Sequence, residues 1–430
     1  MASLLARWLY SFALWLLTPL YLARLWRRGG AEPAYRKRLG ERLGYYKLPP
    51  RRGQGGVVWF HAVSLGETLA AAPLLAALRS ELPQLRLLLT CSTATGVAAG
   101  HDLLQTEDDQ TWLPYDTPGA VRRFLERYRP AVGVIMETEV WPNLMHAARR
   151  AQVPMVLANA RLSARSERKG RRLSLLLRPA LASFTRVLAQ TARDAQRLRE
   201  SGAKPVEVCG NTKYDVTPAA KLLARGHQWR EALLRPVVLM AVSREGEEQP
   251  LLEAWRALAL PRPLLIVVPR HPQRFDEVAA LIEHNGLSLQ RRSHWVDMPA
   301  PDAASADVWL GDTLGEMPLY YAVADVALLG GSFAPLGGQN LIEAAACGCP
   351  LVVGPHTFNF EDAALLAIEA GAAVRMNDLR HAVRRAVALA SDPRRNEWVE
   401  AALAFAGSHR GATERMAKRI AMLLTGLDSV

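Results

Sequence analysis

The chain is poor in cysteine. Four in 430 residues (Cys91, Cys209, Cys347 and Cys349) form neither a disulfide framework nor a zinc-ligand spacing. That excludes a disulfide-stapled secreted domain and suits a reducing cytosol, with Cys347 and Cys349 read as small buried residues between a helix and a strand. No metal-ligand cluster is visible, and no cofactor is implied. The first apolar run is too short for a comfortable membrane span: Trp8 to Ala23 is sixteen residues without a charge, about 24 Å as a helix against a hydrocarbon core of about 30 Å. A cleaved signal peptide is the rival reading, and it is disfavoured because no A-x-A-like site follows and the positive charge comes after the run. Acidic residues are scarce at this end. Residues 1–52 hold eleven basic and two acidic residues, nine of the net +12 of the whole chain. An apolar content of 50% excludes a disordered chain, and the length points to two or three domains.

What is there at the N-terminus is an interfacial helix. Trp8, Tyr10, Trp15, Tyr21 and Trp26 suit the membrane–water boundary, and Arg24, Arg27, Arg28, Arg36, Lys37 and Arg38 suit an anionic cytoplasmic leaflet. Residues 1–30 are therefore expected to anchor the protein to the cytoplasmic face of a membrane.

From residue 57 short apolar runs alternate with amphipathic stretches, the pattern of a doubly wound α/β domain. Strands are expected at 57–61, 85–90, 131–136, 154–158, 186–189 and 206–209. After a less regular stretch the alternation restarts, with strands at 237–242, 264–268, 308–310, 326–329 and 351–353. This predicts two α/β domains, 31–215 and 236–410, joined by a linker at 216–235 and followed by a C-terminal helix within 411–430. Ligands of such a pair are expected in a cleft at the carboxyl ends of the strands.

Chemistry-bearing residues sit at those strand ends. Glu67, in Ser64-Leu65-Gly66-Glu67, follows the first strand and enters a helix; it reads equally as a general base or as a residue complementing the helix dipole. Glu137 and Glu139 follow another strand, so that one can face the ligand while the other caps the helix from Pro142, with Glu137 the preferred functional group. Asn159-Ala160-Arg161 opens a segment in which Arg161, Arg165, Arg168, Lys169, Arg171, Arg172 and Arg178 face only Glu167, suited to an anionic substrate. Lys213 can neutralise a developing negative charge, and Arg270 with His271 can meet a phosphate. The Asp312-Thr313-Leu314-Gly315-Glu316-Met317 turn, with Asp312 as its cap-type residue, predicts an anion-binding helix N-terminus. Gly330 to Asn340 predicts a loop that lets backbone approach a ligand, with Asn340 and Glu343 spaced to grip ribose hydroxyls. Ser243 to Glu248 reads as a strand-end turn with an acidic first turn, and His356 to Phe360 as a polar and aromatic stretch beside the donor loop.

Together Ser64 to Glu67, Glu137-Thr138-Glu139 with Trp141-Pro142, Asn159 to Ser163, Pro269 to Pro272, Gly337 to Asn340 with Glu343, and Gly354 to His356 with Asn359-Phe360 resemble the 3-deoxy-D-manno-octulosonic acid (Kdo) transferases of Gram-negative bacteria. The resemblance covers nearly the whole chain. It implies an inverting GT-B glycosyltransferase fold, two Rossmann-like domains facing a cleft, CMP-Kdo as donor and lipid IVA as acceptor at the inner membrane, with no nucleic acid partner. It further implies Glu67 as general base and Glu137 and Lys213 as transition-state stabilisers. CMP would be held by Arg270, His271, Gly315, Glu316, Met317, Asn340, Leu341, Ile342 and Glu343. Ser64, Arg161, Arg165 and Arg168 are the expected acceptor contacts. Two competing readings share the two-domain plan. A sugar-nucleotide epimerase would need neither the anchor nor the basic face, and a non-catalytic nucleotide-sugar binder would not need the carboxylate of Glu67.

Overall fold

The computed structural model describes residues 1–30, 32–47, 56–215 and 217–426. Residue 31 and residue 216, which begin the expected first domain and linker, lie outside the described residues, as do 48–55 of the basic N-terminal segment and 427–430 of the C-terminal stretch. The chain divides into two compact units, Met1–Asp215 with Arg410–Val430, and Val216–His409.

In the first unit seven parallel strands are ordered β3-β2-β1-β4-β5-β6-β7: β1 Val57–His61, β2 Arg86–Cys91, β3 Asp109–Trp112, β4 Val132–Met136, β5 Met155–Ala160, β6 Arg186–Ala189 and β7 Val206–Val208. Strands buried on both faces read as apolar runs, and β1 shows why. Val58 and Phe60 enter one core with Leu74 and Leu78 of the helix Leu65–Glu81, while Trp59 enters the opposite core with Phe124 and Leu144. The helix Ala412–Thr425 completes the first of these cores through Ala412, Met416, Ala417 and Ile420. Asp215 fixes its start, accepting hydrogen bonds from the N–H groups of Gly411 and Thr413, both at 2.5 Å.

The second unit repeats the plan with order β10-β11-β9-β8-β12-β13-β14: β8 Val237–Ser243, β9 Leu264–Pro269, β10 Leu289–Arg291, β11 Val308–Leu310, β12 Val326–Leu329, β13 Leu351–Val353 and β14 Ala373–Arg375. The stretch expected to link the domains carries a helix, Ala220–Glu231. It packs on the helix Met317–Val323, burying Trp229 completely and setting Gly226 against the backbone of Leu319. In each unit the strand order reverses beside the first strand, between β1 and β4 and between β8 and β12. Open α/β sheets receive ligands at the carboxyl ends of such strands.

Among the described residues no helix is long and apolar enough to cross a membrane. The N-terminal helix α1, Ala2–Arg28, is nevertheless inverted relative to an ordinary surface helix. Its half-buried side includes Arg7, Tyr10, Ser11 and Thr18, while Leu5, Trp8, Leu9, Phe12, Trp15 and Leu20 are each more than 60% exposed. Polar bonds fix the inward side: Tyr10 donates to Asp116 at 3.0 Å and Ser11 to Asn143 at 3.1 Å.

Candidate active site

At the end of β1 the segment Ser64-x-x-Glu67 folds as a capping-box-like turn. Ser64 is the N-cap and accepts from the Glu67 N–H, and the Glu67 carboxylate turns back to accept from Val63 N–H at 2.8 Å and from Ser64 Oγ at 3.2 Å. This holds a half-buried carboxylate over the end of the strand. Burial, and then the charge of Glu137, push its pKa above the ordinary 4.5 in spite of the hydrogen bonds from Val63 and Ser64.

Glu137 ends the neighbouring strand β4 in the left-handed region at φ 60°, a conformation that costs a side-chain-bearing residue energy. It is locked there by its N–H donating to Ala158 O at 2.9 Å. Glu139 comes close enough for both other carboxylates to act on it. Burial first, then Glu67 and Glu137, push it up to about 7. Glu139 does not cap the following helix Pro142–Arg150, contrary to the expectation from spacing. That helix is capped from another loop by Asp116, which accepts from the N–H groups of Asn143 at 3.0 Å and Leu144 at 2.7 Å. Asp116 had no local signal, because its partners lie 27 and 28 residues downstream.

Lys213 is exposed on a short turn, Thr212–Tyr214, whose position is set by buried amides. Asn159, left-handed at φ 51° and fully buried at the end of β5, accepts from Thr212 N–H at 3.2 Å, and Asn211 accepts from Lys213 N–H at 3.0 Å. Gln190 ties the two together, donating to Asn159 O and accepting from Asn211. Replacing Asn159 with Ala leaves the Thr212 N–H unpaired. We expect a loss of about 1–3 kcal/mol in unfolding stability and slower turnover through a loosened Lys213, read by denaturation and initial rate.

Ser64 is occupied as a cap, whereas Arg161, Arg165 and Arg168 are exposed and have no acidic partner among the described residues. Glu167 of the same helix is spent on Arg171 at 2.6 Å. A cavity of about 510 Å³ is lined by Arg161, Arg171 and Arg178 of this basic segment together with Val140, Leu157, Leu177 and Leu181.

In the second unit the equivalent strand ends meet tightly. Val242 at the end of β8 is left-handed at φ 58°, and Gly330 after β12 lies so close that a Cβ there would run into the Val242 carbonyl. Gly330→Ala is expected to cost at least about 1–3 kcal/mol, the scale of overpacking in a core, in a thermal unfolding measurement. The loop that follows is built around a side chain. Glu247, buried, accepts from Gly331 N–H at 2.8 Å and Arg244 N–H at 3.0 Å on one oxygen, and from Phe333 and Ala334 N–H at 3.1 and 3.2 Å on the other. Part of the glycine loop's anion-binding capacity is thus filled by the protein's own carboxylate. Sequence reading assigned Glu247 only to an acidic first turn, since its main partners lie 84 to 87 residues away.

Asn340 caps its own helix, Leu341–Ala346, through Ile342 N–H at 3.0 Å; the side chains of Leu341 and Ile342 are in the core, leaving backbone as what they can offer a ligand. Burial raises the half-buried Glu343 carboxyl. Asp312 does not cap the helix Met317–Val323; Glu316 is its N-cap. Asp312 accepts instead from Ser293 N–H and Oγ and from Arg291, and although burial opposes it, these bonds hold its carboxyl below the ordinary range. The Glu316 carboxylate is engaged by Arg292 at 2.8 Å and Thr313 at 2.5 Å, so its backbone and those of Gly315 and Met317 are the available groups. Gly315, at φ 78°, has open space where a side chain would stand. Arg270 is exposed with no acidic partner among the described residues, and its N–H joins β9 to Ser243 O at 3.0 Å, beside His271. The 356–360 stretch lies against the glycine-rich loop: His356 N–H donates to Ser332 O and Asn359 N–H to Gly337 O, both at 3.0 Å.

Residues 37–216 match the family described as 3-deoxy-D-manno-octulosonic-acid transferase (kdotransferase). The chain is similar to the 3-deoxy-D-manno-octulosonic acid transferase of Bordetella pertussis, 49% identical over 96% of this chain and 98% of that one. It is similar to the transferase of the same description from Haemophilus influenzae at 33% identity, over 95% and 97% of the two chains. Among solved structures, the UDP-GlcNAc 2-epimerase of Neisseria meningitidis bound to UDP-GlcNAc superposes with a TM-score of 0.54 at 15% identity, over 86% of this chain and 100% of that one. At that identity the likeness shows the fold, two parallel-sheet units of the GT-B kind.

Proposed function

The chain belongs to the Kdo transferase family, and from that premise we propose that it moves Kdo from CMP-Kdo to a sugar hydroxyl of lipid IVA, with inversion and with Glu67 as general base. As a member it is a glycosyltransferase of lipopolysaccharide core synthesis, which sets the epimerase reading aside. The observation that carries the proposal is the carboxylate of Glu67 held over the carboxyl end of β1, at the reversal of strand order, within the field of Glu137.

The step is one displacement. The acceptor oxygen attacks the Kdo anomeric carbon, Glu67 takes its proton, and the bond from that carbon to the CMP phosphate oxygen breaks with its electrons on CMP. Arg270, His271 and backbone N–H groups near Gly315 to Met317 and Asn340 to Glu343 bind the nucleotide and its phosphate. Lys213 offsets developing negative charge, and Glu137 acts as a second transition-state stabiliser that also tunes Glu67. Arg161, Arg165 and Arg168 meet the acceptor's phosphates, and the leucine-bearing cavity that Arg161 helps to line offers room for part of its acyl chains. The outward apolar face of α1 lies in the interface of the inner membrane, on the cytoplasmic side, where such an acceptor resides.

The test is transfer of labelled Kdo from CMP-Kdo to lipid IVA, with products separated by number of sugars. Labelled product supports the assignment. A folded, CMP-binding protein that transfers nothing to lipid IVA sinks the acceptor or donor assignment, and persistent transfer after loss of Glu67 sinks the base.

A further inference from the structure

A second basic feature of the first unit lies away from these carboxylates. A cavity of about 1000 Å³ is flanked by α1 and the helices Pro118–Tyr128 and Pro142–Arg150. Four arginines line it, Arg7, Arg122, Arg129 and Arg150, against one carboxylate, Glu126, which Arg122 already approaches at 3.7 Å. Arg149 stands beside it on the same helix. Arg7, Arg149 and Arg150 have no acidic partner among the described residues, yet all three act on the same imidazole: burial first, then Arg7, Arg150 and Arg149 hold His146 below its ordinary pKa. Asp116, whose field Arg7 also reaches, is buried and committed to Tyr10, Asn143 and Leu144.

Helix dipoles explain part of this and leave part over. Arg149 and Arg150 close a helix C-terminus, where cations are favoured. Arg7 sits near the N-terminal end of α1, where no acidic residue offsets the dipole, and it lines the same cavity as His146 and Arg150. Like charges so placed repel unless an anion joins them. The cavity's wall also includes Trp8, 71% exposed on the apolar face of α1, so its rim is continuous with that face.

We propose that this cavity binds the phosphate of an anionic phospholipid headgroup in the membrane on which α1 lies. The inference rests on the interfacial reading of α1. Guanidinium forks match phosphate oxygens in pairs, and the neighbouring apolar stripe accommodates the acyl chains. The lipid there is not the reacting acceptor. Arg129 and Arg150 lie where the chain enters β4 and β5, at the amino ends of the strands, whereas Glu67 and Glu137 follow the carboxyl ends of β1 and β4.

The experiment measures partition of the full chain onto phosphatidylcholine vesicles with and without phosphatidylglycerol. It compares the parent with Arg7→Gln/Arg150→Gln and with Arg380→Gln/Arg384→Gln, which removes equal charge from exposed positions of the second unit. The parent should prefer the anionic vesicles, and the cavity variant should lose roughly ten- to thirtyfold of that preference, from the roughly 1 kcal/mol a basic residue gains at an anionic surface. The control should stay within about twofold of the parent. Equal loss in both variants means diffuse charge attraction and overturns the site. Binding to neutral vesicles without an anionic preference overturns it while leaving the interfacial reading intact; binding to neither overturns both. If inorganic phosphate, matched in ionic strength by chloride, abolishes the preference, the site is one for soluble phosphate and the headgroup assignment fails.

Discussion

Glu67→Gln should be as inactive as Glu67→Ala, both falling by about 10²- to 10⁴-fold in initial transfer rate, the range contributed by a positioned general base. The comparison separates two jobs that the structure gives one side chain. As a cap, Glu67 accepts from Val63 N–H and Ser64 Oγ. Those bonds fall on different oxygens; a Gln oxygen keeps the one from Val63 N–H and its NH₂ can donate to Ser64 Oγ instead, so Gln should restore most of the roughly 1 kcal/mol of stability that Ala loses without restoring a proton acceptor. If Gln restores transfer as well as stability, Glu67 is a cap and the base lies elsewhere, with Glu139 the next group to test. CMP binding should survive in both variants, because the nucleotide groups proposed here belong to the second unit.

The same site has a pH signature whose sign follows from its environment. A base works ionised, and burial together with Glu137 lifts the Glu67 pKa above 4.5. Transfer should therefore fall as pH drops through a value higher than that of an ordinary carboxylate. Glu137→Gln removes one of the two causes, so in its residual activity the acid limb should move to lower pH. An unshifted limb would show that Glu67 does not feel that charge.

The central strands were readable because burial on both faces makes them continuous apolar runs. β1, β4, β6, β8 and β12 fall where such runs predict them, within a residue or so. β3, β10 and β14 were not, for a common reason. The first two are sheet edges, the third is an edge of the second sheet's other side, and their sequences Asp109–Trp112, Leu289–Arg291 and Ala373–Arg375 mix polar with apolar residues because only one side is paired. Glu67 and Glu137 were legible as the first carboxylates after apolar strands. The inward polar side of α1 was not, since Tyr10 and Ser11 declare themselves only through Asp116 and Asn143, 106 and 132 residues away. Glycine spacing suggested a loop open to a ligand, and only the fold reveals the buried carboxylate inside it.

That carboxylate gives the second large expectation. Glu247→Ala should cost about 3–5 kcal/mol in unfolding of the protein, the scale for breaking a buried charged network by removing one partner, because four backbone N–H groups lose their acceptor at once. The glycines cannot hold the loop by themselves. Gly331 is left-handed at φ 70°, and its freedom permits the turn without selecting it. Selection comes from Glu247, which joins the end of β8 to the loop after β12 across the reversal of strand order. Glu247→Gln keeps one acceptor oxygen and sets an NH₂ group against two N–H donors, so it should fall between parent and Ala in stability. Its kinetic effect should be selective: the KM for CMP-Kdo rises about tenfold or more while the KM for lipid IVA stays put, since the acceptor groups proposed here lie in the other unit. A Gln variant with parental donor KM and parental stability would mean that the loop holds its shape without this carboxylate. An equal rise in both KM values would mean general loosening, not control of the donor loop.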